Sequence, residues 1–108
     1  MGHDELVNLF ERMRARPEMY FHRGVEFWTL VGYVYGIRQS GVSELQDFPN
    51  WVSRTFYGLP TSSICWERII IDSVINDMVR WNLTEDESLE AFNRTLASLI
   101  AYCHSRAD

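Results

Sequence analysis

The sequence contains no lysine: all ten basic residues are arginine, and fifteen acidic residues bring the formal net charge to −5. Nucleic acids and anionic lipids attract basic surfaces, so an acidic domain is poorly suited to either and better suited to a basic protein partner. Six glycines and three prolines in 108 residues exclude collagen-like and low-complexity chains. Aromatic residues make up 14%, which excludes a disordered tail.

Long hydrophobic runs are also missing. No apolar stretch approaches the ~20 residues that a membrane span needs, so we expect no membrane insertion. The acidic residues at positions 4 and 5 do not fit the basic start of a secretory signal, and we therefore expect a cytosolic protein. Cys65 and Cys103 make no disulfide framework and fit two free thiols in a reducing compartment.

Motifs that bind metals or cofactors are absent as well. None of His3, His22 and His104 has a second ligand at metal-binding spacing, and no phosphate-binding glycine motif is present. His22 and His104 can in principle serve as the acid and base of a nuclease, but the chain lacks a basic groove for phosphate. We predict no metal, no cofactor and no enzymatic activity.

Helical periodicity of the apolar residues predicts one all-α domain, residues 1–108, of about five helices. The predicted helices run from Asp4 to the residue before Pro17, over 25–40, from Asp47 to Gly58, from the capping residues 61–63 to Met78, and onward from Thr84. The β-branched segment 69–72 can instead start a strand. We favour a helix there, because the apolar pattern persists for about four turns.

The last helix has the clearest signals. Thr84 and Glu87 match a capping box. A single apolar stripe follows at helical spacing and predicts a core-facing surface against the second and fourth helices: Leu89, Phe92, Leu96, Leu99, Ile100 and Cys103. In the second helix, Gly32 and Gly36 lie one turn apart, which predicts the close approach of another helix or, alternatively, a groove for a partner chain.

Acidic residues are concentrated between positions 67 and 90, where seven acids face only two arginines. The simplest interpretation is a solvated charged surface. The functional interpretation is a partner-binding patch where the fourth helix meets the fifth, because complementary charge speeds association. The candidate contact residues are the acids Asp77, Glu85, Asp86 and Glu90, with Trp66 and Trp81 as aromatic anchors. Trp28 and Trp51 are assigned to the core.

Five short motifs follow one another along the chain: Arg16-Pro17-Glu18-Met19-Tyr20, Gly32-Tyr33, the segment 48–52, Ser63-x-x-Trp66-x-x-Ile69-Ile70, and Leu89-x-x-Phe92. In this order the sequence resembles small bacterial immunity proteins of contact-dependent growth inhibition and related polymorphic toxin systems. The resemblance implies a cofactor-free inhibitor that binds and neutralises a cognate toxin, in many cases a nuclease with a basic cleft. It assigns Arg16, Tyr20 and Trp66 to the fold rather than to contacts.

An alternative from a different class remains open. The Gly32 and Gly36 groove and the surplus of aromatic residues also fit a self-associating α-helical adaptor or structural subunit, which would form a homo-oligomer without a toxin partner.

Overall fold

A computed structural model of the chain describes residues 2–21 and 26–106. Within these ranges the protein is all-helical, as predicted, and contains no strand. The five helices are α1 (His3–Ala15), α2 (Phe27–Gln39), α3 (Phe48–Tyr57), α4 (Trp66–Ile75) and α5 (Glu85–Arg106). Short 3-10 turns, Pro17–Met19 and Ser43–Leu45, follow α1 and α2. The predicted start of the second helix at Val25, and the roles considered for His22, lie outside the described residues.

Local signals set most helix ends where the sequence predicts them. α1 ends at Ala15 because Pro17 disfavours helical geometry at Arg16. α3 ends at Tyr57, and Gly58 follows in the left-handed region at φ 71°, where its N–H donates to the Arg54 carbonyl at 3.0 Å. At the start of α5 the predicted capping box is formed in both directions. The Thr84 N–H donates to Glu87 Oε1 at 2.9 Å, and the Glu87 N–H donates to Thr84 Oγ1 at 3.2 Å.

The fourth helix is confirmed in type but is shorter than predicted. Residues 69–72 are helical, so the strand alternative is excluded. The helix begins at Trp66 rather than directly after residues 61–63. It ends at Ile75 because Asn76 adopts the left-handed conformation at φ 53°, which turns the chain out of the helix. Met78 therefore lies in an exposed connection and not on the helix.

The core is built around α5, which contacts all four other helices. Its contacts with α2 and α4 were predicted. Its most extensive contact, however, is with α1 through the buried side chains Leu6, Phe10 and Met13. Because neighbours surround α5 on several sides, it buries more than one stripe. Thr95 and Ser98 are buried too, and their hydroxyls donate to the carbonyls four residues earlier at 2.8 Å.

Two predictions about apolar faces are wrong. Leu89 was assigned to the core stripe, but it lies near the start of α5 and is exposed, while the other five stripe residues are buried. Gly32 and Gly36 were expected to admit a neighbouring helix. Apart from the adjacent residues and the backbone of α2 itself, no described atom lies within 4 Å of the position that a Cβ would take on either glycine, so among the described residues no helix packs there. This face of α2 is open.

Candidate partner-binding surface

The four tryptophans occupy different environments, and two of them differ from the sequence interpretation. The position of Trp66 beside the acidic segment suggests an interface anchor, whereas the resemblance assigns it to the fold. The anchor prediction is wrong, because only 1% of Trp66 is exposed and it packs edge-on against Phe48 with ring centroids 5.3 Å apart. It is a core residue and is not available to a partner. Trp51 is half-buried beside Phe48 and Tyr102. Trp28 was assigned to the core, yet it is 37% exposed, because consecutive helical residues point about 100° apart and Phe27 takes the inward position.

Trp28 and Trp81 form an exposed aromatic pair. Their ring centroids lie 5.9 Å apart with the planes inclined at 32°, and Trp81 is 48% exposed. The pair joins the first turn of α2 to the connection between α4 and α5. A hydrogen bond from the Phe27 N–H to Ser88 Oγ, 3.0 Å long, also ties the start of α2 to the start of α5. Two large apolar side chains are therefore presented together at the surface.

Arg68 stabilises this connection, residues 76–84, from its buried side. It lies in α4 and is 3% exposed. Its guanidinium donates hydrogen bonds to the carbonyl oxygens of Asp77 and Arg80, the latter at 2.6 Å. The same guanidinium lies 4.7 Å from the ring centroid of Trp81, within cation–π range. One buried side chain therefore contacts the backbone of the connection twice and its tryptophan once.

A second link fixes the connection to α5. The Arg80 guanidinium makes a two-pronged contact with the Glu87 carboxylate, at 2.9 Å to Oε1 and 2.6 Å to Oε2. Since Glu87 also accepts the Thr84 N–H, one carboxylate serves both the ion pair and the capping box. These hydrogen bonds, that from Arg80 first, lower the pKa of Glu87 to about 2.

The Glu87 contacts predict an acid-dependent part of the stability. A carboxyl group whose pKa is lower in the folded state stabilises the fold above its unfolded pKa and loses this contribution as the pH falls through the folded value. We expect the difference in melting temperature between the wild type and Glu87→Gln to be largest near pH 7. It should shrink as the pH is lowered from about 4.5 towards 2. Thermal unfolding followed by circular dichroism at several pH values measures this. A constant difference would contradict it.

The predicted acidic patch contains fewer unpaired carboxylates than the number of acidic residues in the sequence suggests. Asp77 is exposed, but its carboxylate accepts the Val79 N–H at 2.9 Å, a contact that lowers its pKa. Glu90 is paired with Arg94 at 2.9 Å. The side chains of Glu85 and Asp86 are exposed and make no hydrogen bond or ion pair within the described parts of the chain. Two carboxylates at the start of α5 thus keep their charge free of internal partners.

Two other acidic residues of the 67–90 segment accept hydrogen bonds from tyrosine hydroxyls. The Tyr35 hydroxyl donates to both carboxylate oxygens of Glu67 at 2.9 Å. Burial, together with this contact, raises the pKa of Tyr35 to about 12. The Tyr57 hydroxyl donates to Asp72 Oδ2 at 3.1 Å. Glu67 and Asp72 of α4 are therefore each engaged by a tyrosine hydroxyl.

Across residues 2–21 and 26–106, no group of three or more His, Cys, Asp or Glu side chains is arranged to hold a metal ion. No helix of the described chain is long and apolar enough to cross a membrane. A shallow cavity of about 280 Å³ lies at the end of α1, lined by Arg12, Ala15, Arg16, Met19 and Tyr20.

No protein-family model matches the chain, and no curated protein or solved structure is significantly similar to it. The resemblance to immunity proteins accordingly remains a prediction that rests on the order of the sequence motifs.

Proposed function

We propose that this protein is an immunity protein that binds and neutralises a cognate bacterial toxin, and that its interface is centred on the Trp28–Trp81 pair. The observation that carries the proposal is the presentation of two contacting tryptophans at the surface, one of which, Trp81, lies in a connection whose backbone Arg68 hydrogen-bonds. Tryptophan is among the residues that contribute most to binding energy at protein interfaces. Supporting groups fixed before binding lower the entropic cost of association.

Charge favours a basic partner surface. Glu85 and Asp86 follow Trp81 closely in the chain, are exposed, and have no internal partner among the described residues. An acidic inhibitor can occupy the electrostatic field that a nuclease uses to attract phosphate, and it associates quickly by steering. The order of the sequence motifs supports an immunity protein over other acidic binding domains. In this proposal the protein acts in the cytosol of the producing cell and needs no cofactor.

A self-associating adaptor is the second candidate, and the open face of α2 favours it. Gly32, Tyr33 and Gly36 are exposed on this face. Sedimentation equilibrium of the purified protein distinguishes the candidates. A stable dimer that Tyr33→Ala dissociates supports the adaptor, whereas a monomer at micromolar concentration supports the immunity protein.

Toxin neutralisation is tested by co-expression in a bacterial host. The toxin domain should be encoded directly upstream of this chain in its own genome, and its expression alone should arrest growth. We expect co-expression of this protein to restore growth, and to give no protection against a toxin domain from an unrelated upstream gene. Growth arrest that persists although both proteins accumulate would contradict the proposal.

Charge reversal at the start of α5 tests the electrostatic part. We expect Glu85→Arg combined with Asp86→Arg to slow association with the toxin domain about tenfold at low salt, and to flatten the salt dependence of the association rate. Stopped-flow or surface-based kinetics measure both quantities.

The matched control is Asp4→Arg combined with Glu5→Arg, which makes the same charge change in the first turn of α1. If both double variants slow association equally, the effect comes from net charge alone, and the proposed location of the interface is wrong.

A further inference from the structure

We infer that Arg68 is the positioning residue of the interface: it presets Trp81 and the 76–84 connection in the conformation that binds the partner. This inference rests on the proposed function. Arg68 is not itself a contact residue, because it is 3% exposed and Trp81 lies over it. Its effect on binding must therefore pass through the groups that it holds.

The contacts of Arg68 require an arginine. The side chain donates to two carbonyl oxygens three residues apart, those of Asp77 and Arg80, while its guanidinium carbon Cζ lies 4.7 Å from the ring centroid of Trp81. Only the planar guanidinium combines several donors in one plane with a flat face that stacks on an aromatic ring. A lysine ammonium lacks this fork and its flat face.

The stability of the core does not explain a buried cation at this position. Removing a charge from water is costly, and apolar residues of similar volume often stabilise a fold as well or better. Among the described residues no carboxylate forms an ion pair with Arg68, and its Nε lacks an acceptor. The charge is instead compensated by carbonyl oxygens of the connection and by the face of Trp81. What Arg68 provides is an ordered connection.

Ordering the connection raises the affinity because it increases the fraction of molecules that have the binding conformation. When only a fraction of molecules has the binding conformation, the apparent dissociation constant rises by the inverse of that fraction. If a variant of Arg68 leaves one molecule in ten with Trp81 in place, the affinity falls about tenfold although every contacting side chain is still present.

The first test needs no partner. 5-Fluorotryptophan labelling gives one fluorine NMR resonance for each of the four tryptophans, and Trp28→Phe and Trp81→Phe assign the pair. We expect Arg68→Lys to shift or broaden the Trp81 and Trp28 resonances and to leave that of Trp51 unchanged. Arg38→Lys is the matched control, because the Arg38 guanidinium also lies over an aromatic ring, that of Tyr35 at 5.9 Å, and contacts a tyrosine rather than a tryptophan.

The second test measures the affinity for the toxin domain that is encoded upstream. We expect Arg68→Lys to weaken binding about tenfold and Arg38→Lys to leave it unchanged. Arg68→Met, which keeps apolar volume without charge, gives a second variant if the lysine variant fails to fold. Helix content from circular dichroism shows which variants are folded.

The outcomes separate this inference from the proposed function. If folded Arg68 variants keep the wild-type Trp81 resonance and affinity, Arg68 does not position the interface. If Trp81→Ala binds as tightly as the wild type, the proposed interface is wrong, and the fluorine spectra still decide whether Arg68 orders the connection.

Discussion

Replacing Phe92 by alanine is expected to lower the free energy of unfolding by ~3–5 kcal/mol, as large-to-small changes in a packed core do. Phe92 is buried in α5, the helix that contacts all the others, and its ring packs edge-on against Phe21 with centroids 5.4 Å apart. A loss of this size is a large part of the stability of a domain of this length. Urea denaturation followed by circular dichroism measures it.

Leu89→Ala is the matched control for Phe92→Ala. Leu89 lies on the same helix three residues earlier, but its side chain is exposed. We expect this control to change the free energy of unfolding by about 0.5 kcal/mol or less. An unchanged urea midpoint for Phe92→Ala would show that this face of α5 does not support the core.

The largest effect on binding is expected from the tryptophan pair. Trp28→Ala and Trp81→Ala should each cost about 2 kcal/mol or more of binding free energy, which corresponds to a roughly 30-fold higher dissociation constant for the toxin domain. The rings contact each other, so we expect the double variant to lose less than the sum of the two single losses. Isothermal titration calorimetry measures all three variants.

Tyr33→Ala controls for the loss of exposed aromatic area on the same helix. Tyr33 is 38% exposed, almost the same as Trp28, but it lies on the face of α2 that carries the glycines. We expect the affinity of the Tyr33→Ala variant for the toxin domain to equal that of the wild type. If Tyr33→Ala weakens binding and the tryptophan variants do not, the open face of α2 is the interface.

Helix ends that depend on only a few neighbouring residues could be predicted from the sequence. Pro17 ends α1, Gly58 terminates α3, and Thr84 with Glu87 starts α5, each because the residue type determines the local backbone. The strong periodicity of α4 was sufficient to prefer a helix over a strand at residues 69–72.

The burial or exposure of a side chain depends on which element packs against its helix, and it could not be predicted in the same way. Phe27 and Trp28 are adjacent and both large, and periodicity alone did not show that only Phe27 points inward. Trp66 and Trp81 both flank the acidic segment, but α4 buries the first and the connection exposes the second. The open face at Gly32 also depends on where the described helices pack relative to α2, which is a tertiary property.

Arg68 was counted in the sequence only as one of two arginines opposing the acidic segment. A signal was nevertheless present: Arg68 stands three residues before the buried Ile71 and seven before Ile75, on the apolar side of α4. A charged residue at such a position is buried only if its donors find acceptors. Those acceptors, the carbonyls of Asp77 and Arg80, exist only once the connection has folded back over α4.

The most direct measurement of the central claim is a fluorine NMR titration of the wild-type protein, labelled with 5-fluorotryptophan, with the upstream-encoded toxin domain. At saturation we expect the Trp28 and Trp81 resonances to move, while that of the buried Trp66 keeps its position. Unchanged Trp28 and Trp81 resonances in a saturated complex would place the interface elsewhere and contradict the account.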